Sequence, residues 1–410
     1  MNIIISAFAC DPSKGSENGN GWNWVYQNYK LGNKVICLTA EFGQENIIHK
    51  LKENPDLASE VKFVFIKMPS LLEKYFPTLP GFYVYYLYWQ FKALKKTKKI
   101  LKEHGIDLIH HVTIGSIQMG SFLWKVKKPF IFGPAGGGQF APEVFKGYFG
   151  KHWKTERMRK FISYLFTNIF RNFNNMMQKS SLILATNQET YSMAKKYGAK
   201  NVKLFLDTSL PLEFFPENFP ERQKSENLRI LWVGRFMPRK GLPLVIESLK
   251  FVSNSTKYHL TVVGDGELKD DVTKMTKDLD LEEKITFTGM IPWKEVSEKY
   301  LNHDCFIFCS FRDSSAAQLL EAMAFGLPII TLNIHGAKNL VPEVGGVKIE
   351  LKDDVEKIKT EIAKSIDSMY QNPEKRLEMG LNSYLFAKSQ NWNEKVLQIN
   401  NLYEEILQKT

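Results

Sequence analysis

Short apolar runs recur along this chain at a spacing that leaves few folds open. They fall at 3–8, 35–39, 61–66, 108–111, 129–132 and 182–185, and again at 229–233, 260–263, 284–287, 305–309, 328–331 and 347–349, with stretches of helical character between them. Runs this short and this apolar suit strands covered on both faces, and a strand–helix order repeated this often predicts parallel sheets with helices packed on each side. The two series are separated by 210–227, which carries Pro211, Pro216 and Pro220 and shows no periodicity, so it reads as a linker. At 410 residues and 44% hydrophobic the chain exceeds what one core holds. The expectation is a Rossmann-like domain over 1–209, a linker over 210–227, a second Rossmann-like domain over 228–388, and a closing segment, 389–410, with an amphipathic helix from Trp392.

The most informative stretch is 312–328, RDSSAAQLLEAMAFGLP, which follows the apolar run CFIFCSF. Ser315 and Gln318 have capping-box spacing, while Gly326 and Pro328 suit a helix end. Asp313 and Ser314 then lie in the strand-to-helix loop beside unpaired backbone N–H groups of partial positive charge, a place that attracts phosphate. Glu321, nearly two turns into the predicted helix, could reach a sugar hydroxyl. A second stretch, 228–242, reads LRILWVGRFMPRKGL: a strand that breaks at Gly234 into a loop with Arg235, Arg239 and Lys240. Its cations gather at a strand's carboxyl end, where open α/β sheets bind ligands. Arg239 reads either as part of that group or as a solvated neighbour.

Together and in this order, the two stretches resemble the retaining glycosyltransferases of family 4. The resemblance implies the GT-B fold: two Rossmann-like parallel-sheet domains facing each other across a cleft, with a C-terminal helix crossing back to the first. The family's motif has two Glu with seven residues between them, then Ala-Met-Ala-x-Gly-x-Pro. Here Glu321 to Pro328 fits, but the first carboxylate is Asp313, as in a subset that writes the loop Arg-Asp-Ser. By resemblance Arg235 and Lys240 take the donor's diphosphate with Ser314 and Ser315 at the helix start, Gly234 lines the nucleotide or sugar, and Asp313 and Glu321 are catalytic. The implied activity is retaining transfer of a hexosyl group from a nucleotide-sugar to a glycan or lipid-linked glycan in surface polysaccharide or glycolipid assembly. A front-face reaction, in which the departing phosphate helps deprotonate the acceptor, needs no enzymic nucleophile. A sugar-nucleotide epimerase of the same fold and a catalytically impaired sugar-binding relative stay open as alternatives.

The first strand runs into CDPSKGSENGNGWNWV, whose Gly15, Gly19 and Gly21 precede a helix. The spacing is not that of a dinucleotide fingerprint, but it resembles a Gly-Ser-Glu-x-Gly-x-Gly-Trp loop of part of the family, which places Gly15 and Ser16 at the donor phosphates. His110 and His111 stand at another strand's carboxyl end and could donate to a sugar hydroxyl or take an acceptor's proton. The family has a sugar-contacting His here, which could match either residue, with His111 preferred for catalysis and His110 against the donor sugar; the bland reading is a pair of structural strand-end histidines. The run 133–138, GPAGGG, suits close approach of a ligand.

No ligand set with metal spacing stands out, and neither metal nor other cofactor is expected, the nucleotide-sugar being a substrate. The four cysteines lie in or beside apolar runs and read as buried thiols, and the first ten residues have no basic leader, so a cytoplasmic location is expected. Residues 1–205 hold 29 Lys and Arg against 13 Asp and Glu, a net +16, while the rest of the chain is net −5, so the basic excess behind the overall +11 lies in the first part. The excess concentrates in two aromatic, basic stretches, 81–102 and 146–173. Such composition suits peripheral contact with the anionic inner face of a membrane, or else a core helix with a solvated basic face. No groove-reading motif is present, so nucleic acid is not an expected partner.

Overall fold

The computed structural model of the chain describes residues 1–70, 76, 79–223 and 225–409. Residues 71–75, 77 and 78 of the expected first domain, Lys224 of the expected linker and Thr410 of the expected closing segment lie outside the described residues. All the expected apolar runs become strands. The first sheet contains β1 (Asn2–Ser6), β2 (Lys34–Ala40), β3 (Val61–Ile66), β4 (Leu108–His111), β5 (Phe130–Ala135), β6 (Leu182–Ala185) and β7 (Val202–Leu204). Its order is β3-β2-β1-β4-β5-β6-β7, with every pair parallel. The second contains β8 (Leu228–Val233), β9 (Tyr258–Val263), β10 (Ile285–Gly289), β11 (Cys305–Ile307), β12 (Ile329–Leu332) and β13 (Gly346–Ile349) in the order β10-β9-β8-β11-β12-β13, again parallel throughout. Strand β7 was not anticipated, because its Val-Lys-Leu buries only Val202 and makes no apolar run. Its pairing with β6 produces it.

Strand β1 shows why such runs are unbroken. Ile3 and Ile5 enter one buried cluster and Ile4 the other, all at 0% exposure, so both faces of the sheet are covered. Tyr85, Tyr86 and Trp89 of α2 (Leu79–Glu103) cover the Ile4 side. Trp24 of α1 (Ser16–Lys30) covers the Ile3 side. The helices α3 (Trp153–Asn168), α4 (Trp293–Asn302), α5 (Ala317–Ala324), α6 (Pro373–Ser389) and α7 (Trp392–Leu407) complete the elements needed below. Trp392, Val396, Ile399 and Tyr403 of α7 join the Ile3 cluster, so this last helix packs on the first sheet.

The chain divides into two compact units. Unit 1 is Met1–Gly138, Ile162–Ser209 and Trp392–Thr410; unit 2 is Gln139–Phe161 and Leu210–Asn391. Two features differ from the expected boundaries of 1–209 and 210–227. Residues 139–161 pack with the second sheet, because Phe145 stacks on Phe311 at 4.1 Å between ring centroids and the Tyr148 hydroxyl donates to Glu247 at 2.7 Å. The proline-bearing stretch after Ser209 is bound onto unit 2: the Arg222 guanidinium donates to the carbonyls of Tyr300, at 2.9 Å, Leu301 and Phe325, and Tyr384 donates to the Pro216 carbonyl at 2.9 Å. Its lack of periodicity reflects irregular packing, not freedom.

Candidate functional site

In the second sheet the chain runs outward from β8 through β9 to β10 and, on the other side, from β11 through β12 to β13. The carboxyl ends of β8 and β11 therefore flank the point where the strand order reverses, the usual crevice for a ligand in such a sheet. The two stretches singled out in the sequence begin there. A turn at Pro238–Lys240 follows β8 and ends on Gly241, at φ +71°, where a Cβ would run into the Cys309 carbonyl. Only glycine lets this turn lie against the end of β11.

The two loops are joined by ions. Asp313 Oδ1 meets Arg239 Nη1 at 2.5 Å and Oδ2 meets Lys240 Nζ at 2.8 Å. The Ser310 hydroxyl lies 2.6 Å from Asp313 Oδ2 and 2.9 Å from the Arg239 carbonyl, which also accepts from the Phe311 amide at 2.8 Å. Burial by itself raises the Asp313 pKa, but Lys240 and Arg239 outweigh it and hold the carboxyl below its ordinary range. Lys240 is 7% exposed; burial brings it below the ordinary lysine value against the pull of Asp313. The ammonium also sits over the Phe308 ring, 5.1 Å from its centroid. Arg235 is exposed and Gly234 partly so. Arg239, left open as a solvated neighbour, is thus a partner of Asp313; its place beside Lys240 in one turn was the signal for it.

Helix α5 begins one residue later than the Ser315–Gln318 box predicts, with Ala316 as N-cap. Ser315 therefore precedes the N-cap instead of occupying it. Asp313 is drawn back to the cations, and its carbonyl accepts from the Gly336 amide at 3.2 Å while Gly336 presses against the Ser314 carbonyl. Ser314 and Ser315 are consequently loop residues, both partly exposed. Gly326, at φ +72°, stands just past the helix as anticipated. Glu321, in the middle of α5, accepts from the Tyr300 hydroxyl of α4 at 3.0 Å. Burial raises its pKa above the ordinary glutamate value, and the Tyr300 bond acts in the other direction. Tyr300 was missed because nothing in its own helix marks it.

Unit 1 holds the remaining expected residues. Gly15 is the N-cap of α1 and Ser16 its first residue, at φ +55°. A Cβ at Gly21 would meet the Ala9 carbonyl, so that glycine lets the helix return along β1. His110 and His111 are both fully buried at the end of β4. His110 Nε2 donates to the Gly133 carbonyl at 2.6 Å, which leaves Nδ1 to accept from the Tyr403 hydroxyl at 2.6 Å. His111 Nδ1 pairs with the Ser6 hydroxyl at 2.9 Å and Nε2 with the Tyr86 hydroxyl at 3.0 Å. Desolvation pushes both rings down to about 3. Every ring nitrogen of the pair is thus engaged inside the unit. All four cysteines are free and buried. Among the described residues no three His, Cys, Asp or Glu side chains gather as a metal set.

Two parallel-sheet Rossmann-like domains of this kind define the GT-B fold, and solved structures agree at that level. The Anabaena protein HepE, solved in complex with UDP, superposes with a TM-score of 0.63 at 15% identity over 98% of this chain and 99% of its own. More specifically, residues 214–386, which contain the second sheet and both loops, match the family model described as Glycosyl transferases group 1. Among curated relatives, an uncharacterized glycosyltransferase of Haemophilus influenzae is 27% identical over 209 residues, which is 50% of this chain and 56% of that protein. The alpha-monoglucosyldiacylglycerol synthase of Streptococcus pneumoniae is 21% identical over 324 residues, 73% of this chain and 70% of that protein. The match thus spans little more than half of the first relative's length.

Proposed function

We propose that this protein is a retaining glycosyltransferase that moves a hexosyl group from a nucleotide-sugar to a glycan or lipid-linked glycan. The observation that carries this reading is the meeting of the turn bearing Arg239 and Lys240 with Asp313, in the loop before α5, at the reversal point of the second sheet. Arg235 and Lys240 hold the donor diphosphate, aided by the amino end of α5 with Ser314 and Ser315, and the Gly234 backbone lies beside the nucleotide. Asp313 aims Arg239 and Lys240, and Glu321, oriented by Tyr300, grips a hydroxyl of the donor sugar. In the reaction the bond from sugar C1 to the diphosphate oxygen breaks. The acceptor oxygen bonds to C1 on the same face, and the acceptor's proton passes to a departing diphosphate oxygen. The charge left on the nucleoside diphosphate is met by side-chain cations, with no metal assigned to the step. The group 1 match over these residues supports the transfer chemistry. The UDP held by HepE supports a nucleotide donor, and the diacylglycerol glycolipid named for the pneumococcal enzyme supports a lipid-linked acceptor. A cytoplasmic site of action belongs to the same reading.

The test is a thermal-shift panel of UDP-, GDP-, ADP- and dTDP-sugars, since a ligand bound only by the native state raises its midpoint. One base should stabilise the wild type, and the shift should shrink in Arg235→Ala. With that donor, Glu321→Ala is expected to lower turnover by about 10²-fold or more. Full turnover in Glu321→Ala would remove the residue from the mechanism, and no stabilisation by any donor would remove the proposed site.

A further inference from the structure

The loop that carries Asp313 is held on two sides, and only one of them lies in the stretch that matches a family. Ser310 and Asp313 face the turn of Arg239 and Lys240. Phe311 and Arg312 face 139–161, a segment that comes from far earlier in the sequence and folds with unit 2. Phe311, 0% exposed, stacks on Phe145 at 4.1 Å and is flanked by the rings of Tyr148 at 5.4 Å and Phe149 at 5.9 Å. Arg312 Nη2 donates to Glu156 Oε1 at 3.1 Å, and Nε lies 2.9 Å from Oε2. The two side chains are only 13% and 10% exposed. The Arg312 carbonyl in turn accepts from Arg239 Nη1 at 3.2 Å, the same nitrogen that meets Asp313.

We infer that Glu156 is a positioning residue for the diphosphate cations, acting through Arg312. The inference rests on the reading of the 235–240 turn as a phosphate site. The physical case is continuity. Glu156 fixes the Arg312 side chain, the backbone of Arg312 then presents its carbonyl to Arg239, and Arg239 and Lys240 are set by Asp313 one residue on. A second consequence concerns charge. The guanidinium of Arg312 is neutralised by Glu156 and turned to 139–161, so it does not add to the cations that meet a phosphate. The segment 139–161 thereby completes a loop whose motif residues all lie in the second half of the chain.

Full-length variants titrated with inorganic pyrophosphate in a calorimeter decide the point. Glu156→Gln should weaken pyrophosphate binding about tenfold, the lower end of what loss of an orienting outer partner costs at metal sites, while its thermal midpoint tracks that of the wild type. The exchanged double variant Glu156→Arg with Arg312→Glu should bind within about threefold of wild type. Equal or tighter binding by Glu156→Gln overturns the inference, because a residue that merely neutralised Arg312 would release a cation toward the anion. A folded double variant as weak as Glu156→Gln also overturns it, and this arm stands if the single variant does not fold. A wild type that binds no pyrophosphate would sink the phosphate reading itself, which separates that failure from this one.

Discussion

At the scale of single residues, burial decides protonation in unit 1. His110 and His111 have depressed values in the folded chain, so between about 3 and 6.5 the unfolded chain binds more protons and stability falls with falling pH. The cost reaches the order of a few kcal/mol for each ring at full protonation. Lys395 of α7 acts in the same sense at higher pH. Its ammonium donates to the Leu206 carbonyl and lies 4.9 Å from the centre of the Phe205 ring, and desolvation brings it down to about 7. Stability from this group is therefore gained as pH rises from about 7 toward the ordinary lysine value. Thermal midpoints measured from pH 4 to pH 9 should rise with pH. His111→Gln is expected to flatten the acid limb and Lys395→Met the alkaline limb; limbs unchanged by either substitution would refute the assignment. The types and positions of these residues were legible in the sequence, but their partners were not: Tyr403 lies 293 residues from His110.

At the scale of elements, helix ends were read with mixed success, and the reason is local against tertiary control. Gly326 ends α5 as its neighbours dictate. The start of α5 is set from outside, by the cations that draw Asp313 back and by the Gly336 contact. The same helix shows where glycine is required by packing. Gly380 of α6 lies so close to α5's end that a Cβ would meet the Gly326 carbonyl, with Pro328 Cδ at 3.5 Å. Alanine gains about 1 kcal/mol of helix propensity over glycine. The obstruction is backbone and cannot rotate aside, so the clash should win. Gly380→Ala is expected to destabilise by about 1–2 kcal/mol, measured by urea unfolding, and an increase in stability would show that the helices separate at little cost.

At the scale of the whole molecule, the charge asymmetry resolves onto helix faces. In α2 Tyr85, Tyr86, Trp89, Ala93 and Ile100 are core, while Lys95, Lys96, Lys98 and Lys99 are exposed beside Val84 and Phe91, themselves 54% and 57% exposed. The aromatics Tyr85, Tyr86 and Trp89 thus serve the core while the lysines form an exposed face. Tyr164, Ile169 and Phe170 are also more than half exposed. Among the described residues no helix is long and apolar enough to cross a membrane. We propose peripheral contact of unit 1 with an anionic surface, where each lysine contributes about 1 kcal/mol. Replacing Lys95, Lys96, Lys98 and Lys99 with Gln should reduce sedimentation with phosphatidylglycerol vesicles at least about tenfold; unchanged sedimentation would remove the membrane from the account.

By itself the sequence determined the two parallel sheets, because a strand buried on both faces must be written as an apolar run and a crossover helix must follow it. It also put Lys240 and Asp313 each just past a strand's carboxyl end, and the pairing of β8 with β11 brought those two ends together. Tertiary structure alone decided that Asp313 pairs with Arg239 and Lys240, that His110 and His111 are sealed, and that 139–161 belongs to unit 2. Each of these depends on distances between residues far apart in the chain, and periodicity carries no information about a partner on another element.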